Sequence, residues 1–242
     1  VLRGDMLECV AMRNVKAILF DAGGTLIEGA MPWYELYQQA LTLTDHPMSE
    51  RAMVEGYEKA IRRMTADKQT AVSAESPAAT RAFNSYLADA FGLSERRLQM
   101  ALDEVIFDHP EARHLVPAVA ADQVLHVLRE RGYRLGVISN WSADLPRVLQ
   151  QLGLRDCFDA VFASESLGHA KPAAAAFLVP LSRMGLTPGE SAYVGDLYDV
   201  DVLGSREVGM WPVLVDRLEL RLHNDVTTVA ELVDLLNLFH GV

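Results

Sequence analysis

Cysteine is almost missing from this 242-residue chain. Cys9 and Cys157 lie far apart and show no metal-type spacing, which excludes a disulfide framework and a thiolate metal centre. Positive charge is also scarce: 22 Lys and Arg stand against 33 Asp and Glu, for a formal net charge of −11. Nucleic acid and anionic membrane surfaces both demand a basic footprint, so neither is an expected partner. An anionic small molecule would need a local positive site instead. No apolar run reaches the length that a bilayer crossing requires. Residues 1–14 carry Asp5 and Glu8 without an apolar signal core, and they read as an irregular extension in which Met12 is available as an initiator. The expected location is therefore the cytoplasm. Repeats and low-complexity tracts are absent too, and nothing in the sequence fixes an oligomeric state.

What the chain does have is one buried strand that ends in an acid. Residues 15–26, VKAILFDAGGTL, open with the mostly apolar run Val15, Ala17, Ile18, Leu19 and Phe20, in which only Lys16 is polar, as in a strand of a parallel sheet covered on both faces. Asp21 then falls at the carboxyl edge of that sheet, where open α/β folds place their ligands. Gly23 and Gly24 allow a sharp turn and a close approach of backbone to ligand. Asp21 reads either as a nucleophile or metal ligand, or as a helix-capping or turn aspartate.

From 28 to 115 the spacing is helical. Trp33, Leu36, Tyr37 and Leu41, then Met53, Tyr57, Ile61 and Met64, then Phe83, Leu87 and Phe91, then Leu98, Leu102 and Val105 each recur at 3 and 4 residues. Residues 65–77 read as a polar connector. From Pro117 onward helices alternate with the strands RLGVIS, DAVFAS, SAYVGD and WPVLVD, with helices expected over 119–131, 145–152, 172–184 and 200–208 and a last amphipathic one through 229–238. The expected fold is α/β: a Rossmann-like, three-layer parallel-sheet core from residues 12–27 and 116–242, with residues 28–115 inserted as an all-helical cap. Because the insert enters just past Asp21, it is placed to act as a lid.

The other strand ends are polar in a consistent way. Ser139 and Asn140 offer a hydroxyl, an amide and a turn of backbone N–H groups, which suits an anion and equally suits a cap or Asx turn. Lys171, before Pro172, can neutralise a phosphate and hold an aspartate ionised. Asp196, Asp199 and Asp201 crowd the segment GDLYDVD, and packed carboxylates repel unless a cation offsets them. Such an oxygen-rich cluster suits Mg2+. Capping of the next helix accounts for Asp199 and also accommodates Asp201, but not Asp196 at the strand tip.

Taken in order, Asp21 with GGT, Ser139, Lys171, and GD with a second Asp five residues later resemble the motifs of the haloacid dehalogenase-like (HAD) hydrolase superfamily, and the insert is similar to the helical cap of its subfamily I. The resemblance implies that Asp21 attacks the substrate and forms a covalent aspartyl intermediate later cleaved by water. It also implies a small phosphorylated substrate, with Gly24, Thr25, Ser139, Asn140 and Lys171 around the phosphoryl group. Mg2+ would be held by Asp21, Asp196 and the backbone carbonyl of Gly23, with Asp201 in support. One departure stands out. Phosphatases of the family usually carry a general acid/base aspartate where this chain has Gly23, and losing such a group typically costs about 10²- to 10⁴-fold. Restoring Gly23→Asp is then expected to raise phosphatase activity. Three alternatives remain beside the phosphatase: a metal-free 2-haloacid dehalogenase, a phosphonoacetaldehyde hydrolase using Lys59 or Lys68 as a Schiff base, and a non-catalytic phosphate-binding protein. Trp33, Tyr34, Tyr37, Arg81 and Trp141 are candidates for substrate selection.

Overall fold

A computed structural model of the chain describes residues 14–67 and 77–242. Expectations placed on Met12, Lys68 and most of the connector lie outside the described residues. The strands are β1 (Ala17–Phe20), β2 (Ile27–Gly29), β3 (Leu115–Pro117), β4 (Arg134–Ser139), β5 (Ala160–Ala163), β6 (Ser191–Gly195), β7 (Trp211–Val215) and β8 (Thr227–Val229). Six of them form one parallel sheet in the order β5-β4-β1-β6-β7-β8, and β2 and β3 form a separate pair.

β1 lies at the centre of the large sheet, with Phe20 paired to Val137 of β4 and to Val194 of β6. Every residue of β1 and β6 is buried. That follows from their composition, since a central parallel strand covered by helices has no solvated face for a polar side chain. The helix Ala174–Met184 supplies Phe177, Leu181 and Met184 to one cluster with Ala17, Leu19, Ile138 and Tyr193. Fully burying each large apolar side chain stabilises the fold by about 1.5–3 kcal/mol. Sequential β-α-β connections bring the carboxyl ends of β1, β4 and β6 to one edge, and the site is built there.

The chain divides into two compact units, one from the described residues up to Leu26 together with Pro117–Val242, the other Ile27–Val116. The second unit holds helices α1 (Trp33–Leu43), α2 (Glu50–Ala66), α3 (Pro77–Ala90) and α4 (Glu95–Asp108). Ser49 and Ser94 cap α2 and α4, accepting from the N–H groups of Ala52 at 3.2 Å and Arg97 at 3.3 Å. The apolar stripes of the four helices meet around Leu41, Met53, Leu87, Phe91, Leu98 and Leu102. Tyr37 is buried in this core and donates to Asn84 Oδ1 at 3.0 Å, while Trp33 stacks against Tyr57 with centroids 4.3 Å apart. Both side chains are committed to the unit's own packing.

Three expectations need correction. Region 28–115 is not wholly helical: β2 and β3 occupy its two ends. The last amphipathic helix expected through 229–238 is not an α-helix: Val229 ends the strand β8, which pairs with β7, and the short 3-10 helix Leu232–Asn237 follows. The β-branched run Thr227-Thr228-Val229 favours strand pairing, and the Glu231–Asp234 capping box starts a turn too short to become an α-helix. The segment after β6 opens as a π-helical turn, Tyr198–Val202, before the α-helix Leu203–Glu207.

Candidate active site

Asp21 leaves the end of β1 in a position fixed by the sheet itself, because its N–H donates to Val194 O of β6 at 2.8 Å. Its Oδ1 accepts from Lys171 Nζ at 2.6 Å. The same ammonium donates to Asp201 Oδ1 at 2.7 Å and to Tyr193 Oη at 2.8 Å. An ammonium carries three protons, so these partners fill its donor capacity. Lys171, Asp21 and Asp201 are all buried. Three chain segments remote in sequence thus meet in one charged cluster.

Two glycines make the approach possible. A Cβ on Gly24 would stand 2.2 Å from Asp196 Oδ2, and its backbone has φ of +74° besides. At Gly195 a Cβ would stand 2.4 Å from Asp201 Cγ. The π-turn places Asp201 under the end of β6, with its N–H bonded to Leu197 O at 2.7 Å and its Oδ2 accepting from Leu197 N–H at 3.0 Å. π-bulges of this kind are often found at functional sites. Thr25, fully buried, donates from Oγ1 to Asp196 Oδ1 at 3.4 Å, a long contact, and Arg217 holds the Thr25 carbonyl at 2.9 Å.

One oxygen from each of Asp21, Asp196 and Asp201 lies within 4.8 Å of the others. Asp201 spends both oxygens on hydrogen bonds, whereas Asp21 spends one. The all-oxygen donor set fits a hard divalent cation such as Mg2+. The electrostatics point the same way. Burial, then the charges of Asp21 and Asp201, push the Asp196 carboxyl well above its ordinary pKa. Burial also lifts Asp201 from 3.8 to about 6, although Lys171 pulls it down. Lys171 itself is raised: burial opposes its charge, but Asp201 and Asp21 outweigh burial. All three rise, the acids because burial and like charge outweigh their one shared lysine, the lysine because two acids outweigh burial. The ammonium is doubly compensated, and the acids are not.

The remaining expected residues are placed less uniformly. Ser139 closes β4 and is buried. Asn140 commits both polar atoms of its side chain to the Lys171 backbone, accepting from its N–H at 2.7 Å and donating to its O at 2.9 Å. It holds the lysine loop against β4. Beside Gly23 stands Trp141, whose Cζ3 would lie 3.3 Å from a Cβ there. Trp141 is buried, and its indole N–H has no hydrogen-bond partner among the described residues. Lys59 is exposed on α2. Asp199 does not join the carboxylate cluster.

Two participants escaped the sequence reading. Tyr193 offered a usable signal, since a tyrosine in a fully apolar strand must find a partner for its hydroxyl. Arg217, in the loop after β7, offered none.

A family model described as haloacid dehalogenase-like hydrolase matches residues 15–209. The mouse protein named haloacid dehalogenase-like hydrolase domain-containing protein 3 is 42% identical over 95 residues, which is 39% of this chain and 38% of that protein. A glyceraldehyde 3-phosphate phosphatase of Methanothermobacter thermautotrophicus is 34% identical over 142 residues, 56% of this chain and 60% of the enzyme. The chain therefore spans less than two thirds of the length of these relatives. Among solved structures, that of a HAD phosphatase from Thermococcus onnurineus superposes with a TM-score of 0.58 at 24% identity, over 94% of this chain and 99% of that one, a likeness of fold.

Proposed function

The chain belongs to the haloacid dehalogenase-like hydrolases, and on that premise we propose that it is a Mg2+-dependent phosphatase acting on a small phosphorylated metabolite through an aspartyl-phosphate on Asp21. The observation that carries this reading is the carboxylate cluster itself. Asp21 and Asp201 share one lysine and Asp196 lies beside them unpaired with it, with oxygens of the three within 4.8 Å of one another, an arrangement that a divalent cation would complete.

Asp21 would attack phosphorus with a carboxylate oxygen. The new O–P bond forms as the bond to the leaving oxygen breaks, and water then cleaves the aspartyl-phosphate to free Asp21 and inorganic phosphate. Lys171 holds Asp21 Oδ1 at 2.6 Å and so orients the carboxylate for that attack, Thr25 and Ser139 hold phosphoryl oxygens beside Gly24, and Asn140 secures the lysine loop. Asp21, Asp196 and the Gly23 carbonyl would hold Mg2+, with Asp201 supporting, and the ion would neutralise charge on the phosphoryl group. Residues 28–115 would serve as the cap that selects substrate and limits water.

With glycine at 23 no carboxyl there can protonate the leaving oxygen. Substrates whose leaving groups are already acidic, acyl and aryl phosphates, lose least from this. Retention of the acidic cluster stands against a metal-free dehalogenase, and the exposure of Lys59 against a Schiff-base hydrolase. The direct test is hydrolysis of acetyl phosphate and p-nitrophenyl phosphate with Mg2+ and with EDTA. Turnover should require the metal and fall to background in Asp21→Asn. Tight phosphate or vanadate binding without turnover would replace the enzyme with a binding protein, and halide release from a 2-haloacid in EDTA would replace the phosphatase with a dehalogenase.

A further inference from the structure

We propose that Tyr193 is a positioning residue that aims the Lys171 ammonium, a role that rests on the phosphatase reading for its catalytic consequence. A lysine side chain is a long, freely rotating stem, and two carboxylates alone would leave one of its three buried N–H groups without an acceptor. The third is taken by Tyr193 Oη at 2.8 Å. That phenol is itself oriented, because Oη donates to Ile138 O at 2.6 Å. An ammonium can only donate and a carbonyl can only accept, so the tyrosine must accept from Lys171 and donate to Ile138. Its ring is held edge-on to Phe177, with centroids 5.1 Å apart at 83°. Nζ lies 5.3 Å from the Tyr193 ring centroid. With the hydroxyl only 2.8 Å away, the ammonium stands beyond the oxygen and not over the ring face, so the contact is a hydrogen bond more than a cation–π one. Ile138 immediately precedes Ser139 on β4. The phenol therefore ties together three parts of the proposed site: the end of β6, the lysine loop and the strand that presents Ser139.

This chain of hydrogen bonds has a definite purpose. With the third N–H tethered, the other two must point at Asp21 Oδ1 and Asp201 Oδ1, which leaves the second oxygen of Asp21 clear. Without it the ammonium can pivot toward the second oxygen of Asp21, since Asp201 Oδ2 is already held by the Leu197 N–H. Misplacement of a catalytic carboxylate by a fraction of an ångström to an ångström can cost on the order of 10²-fold in rate.

The test is Tyr193→Phe, which keeps the ring and its contact with Phe177 and removes only the hydroxyl. Using p-nitrophenyl phosphate with Mg2+, kcat should fall by about 10- to 100-fold while KM changes by less than about threefold, since no substrate contact is lost. The second measurement needs no substrate. In protein labelled with 15N-lysine, the buried Lys171 should give a slowly exchanging ammonium signal, assigned by its absence in Lys171→Met, and in Tyr193→Phe that signal should broaden or vanish. An unchanged kcat, or an ammonium as ordered and as protected as before, would overturn the proposal. Should the unsubstituted protein hydrolyse no phosphate ester, the phosphatase reading fails on its own, and the ammonium signal still decides whether Tyr193 positions Lys171.

Discussion

Asp196→Asn should make the metal-free protein more stable, against the usual direction of a substitution at a polar site in the fold. Two carboxylates with oxygens no more than 4.8 Å apart repel by about 3–4 kcal/mol or more at an effective dielectric of about 20. Asp196 has two such neighbours, Asp21 and Asp201, and one ammonium, Lys171, in opposition. Roughly one pair's repulsion is therefore left uncompensated. Protonation sets a ceiling on the strain: at pH 7 a carboxyl with an ordinary pKa of 3.8 can be neutralised for about 4 kcal/mol. Asp196 is also only partly buried, and water screens part of the remainder. A gain of about 1–2 kcal/mol follows, or about 3–6 °C in the unfolding midpoint for a chain of this size. The assay is thermal unfolding followed by circular dichroism, in EDTA and in millimolar Mg2+. The unsubstituted protein should gain stability from Mg2+ by mass action and the Asn variant should not, so the order of the two proteins inverts on adding metal. A variant less stable than its parent in EDTA, or one that gains equally from Mg2+, would refute the electrostatic account.

Two further outcomes follow from the same cluster. Because burial and neighbouring acids raise the folded-state pKa of Asp201 from 3.8 to about 6 and raise Asp196 as well, the folded protein holds protons there that the unfolded chain has released. Stability in EDTA should therefore fall as pH rises through that window, and saturating Mg2+ should remove the fall; unfolding midpoints measured from pH 4 to 7 that rise in EDTA would contradict this. Gly23→Asp should give only part of the gain that the sequence alone leads one to expect, because Trp141 stands 3.3 Å from the new Cβ and must yield by a few tenths of an ångström. Hydrolysis of an alkyl phosphate should rise further in Gly23→Asp combined with Trp141→Leu, toward the roughly 10²-fold or more that a general acid supplies, and no gain in either protein would mean that another group already provides the proton.

The parts of this site that were legible in sequence share a property. Asp21 and Asp196 terminate apolar runs, so each stands out against its own neighbours, and parallel topology then brings the strand ends to one edge without further information. Lys171 was legible by its company. Tyr193 and the clasp that Asn140 makes are invisible in sequence because both act across the fold: the first reaches Ile138 and Lys171, the second bonds the Lys171 backbone. No local pattern encodes those distances. The same reasoning explains the misread carboxyl-terminal segment. Leu232, Leu235 and Leu236 have helical spacing and do turn, as the 3-10 helix Leu232–Asn237, while pairing of Thr227–Val229 to the edge of β7 takes Val229, the first residue of the expected helix. The π-turn was hidden for a different reason. Its extra residue serves to bring Asp201 back to Leu197 and Lys171, a demand set by the site and not by helix propensity.

These details bear on how a chain with a formal charge of −11 could accept an anionic substrate. Lys171 would be the natural counter-charge, yet its donors are already taken by Asp21, Asp201 and Tyr193. Once all three carboxylates are ionised, they leave against one ammonium an excess of negative charge equal in size to the charge of a divalent cation. A phosphate dianion approaching Asp21 without that cation meets repulsion at the short range and low dielectric where it is strongest. Cation and phosphate should accordingly bind as coupled ligands, each raising the affinity of the other, and linkage requires the two enhancements to be equal. Isothermal titration of vanadate or phosphate at several fixed Mg2+ concentrations, and of Mg2+ at fixed phosphate, measures both sides of that equality. Anion affinity independent of Mg2+ would mean that the phosphoryl group is held away from the carboxylates, and the role assigned to Asp21 would fall with it.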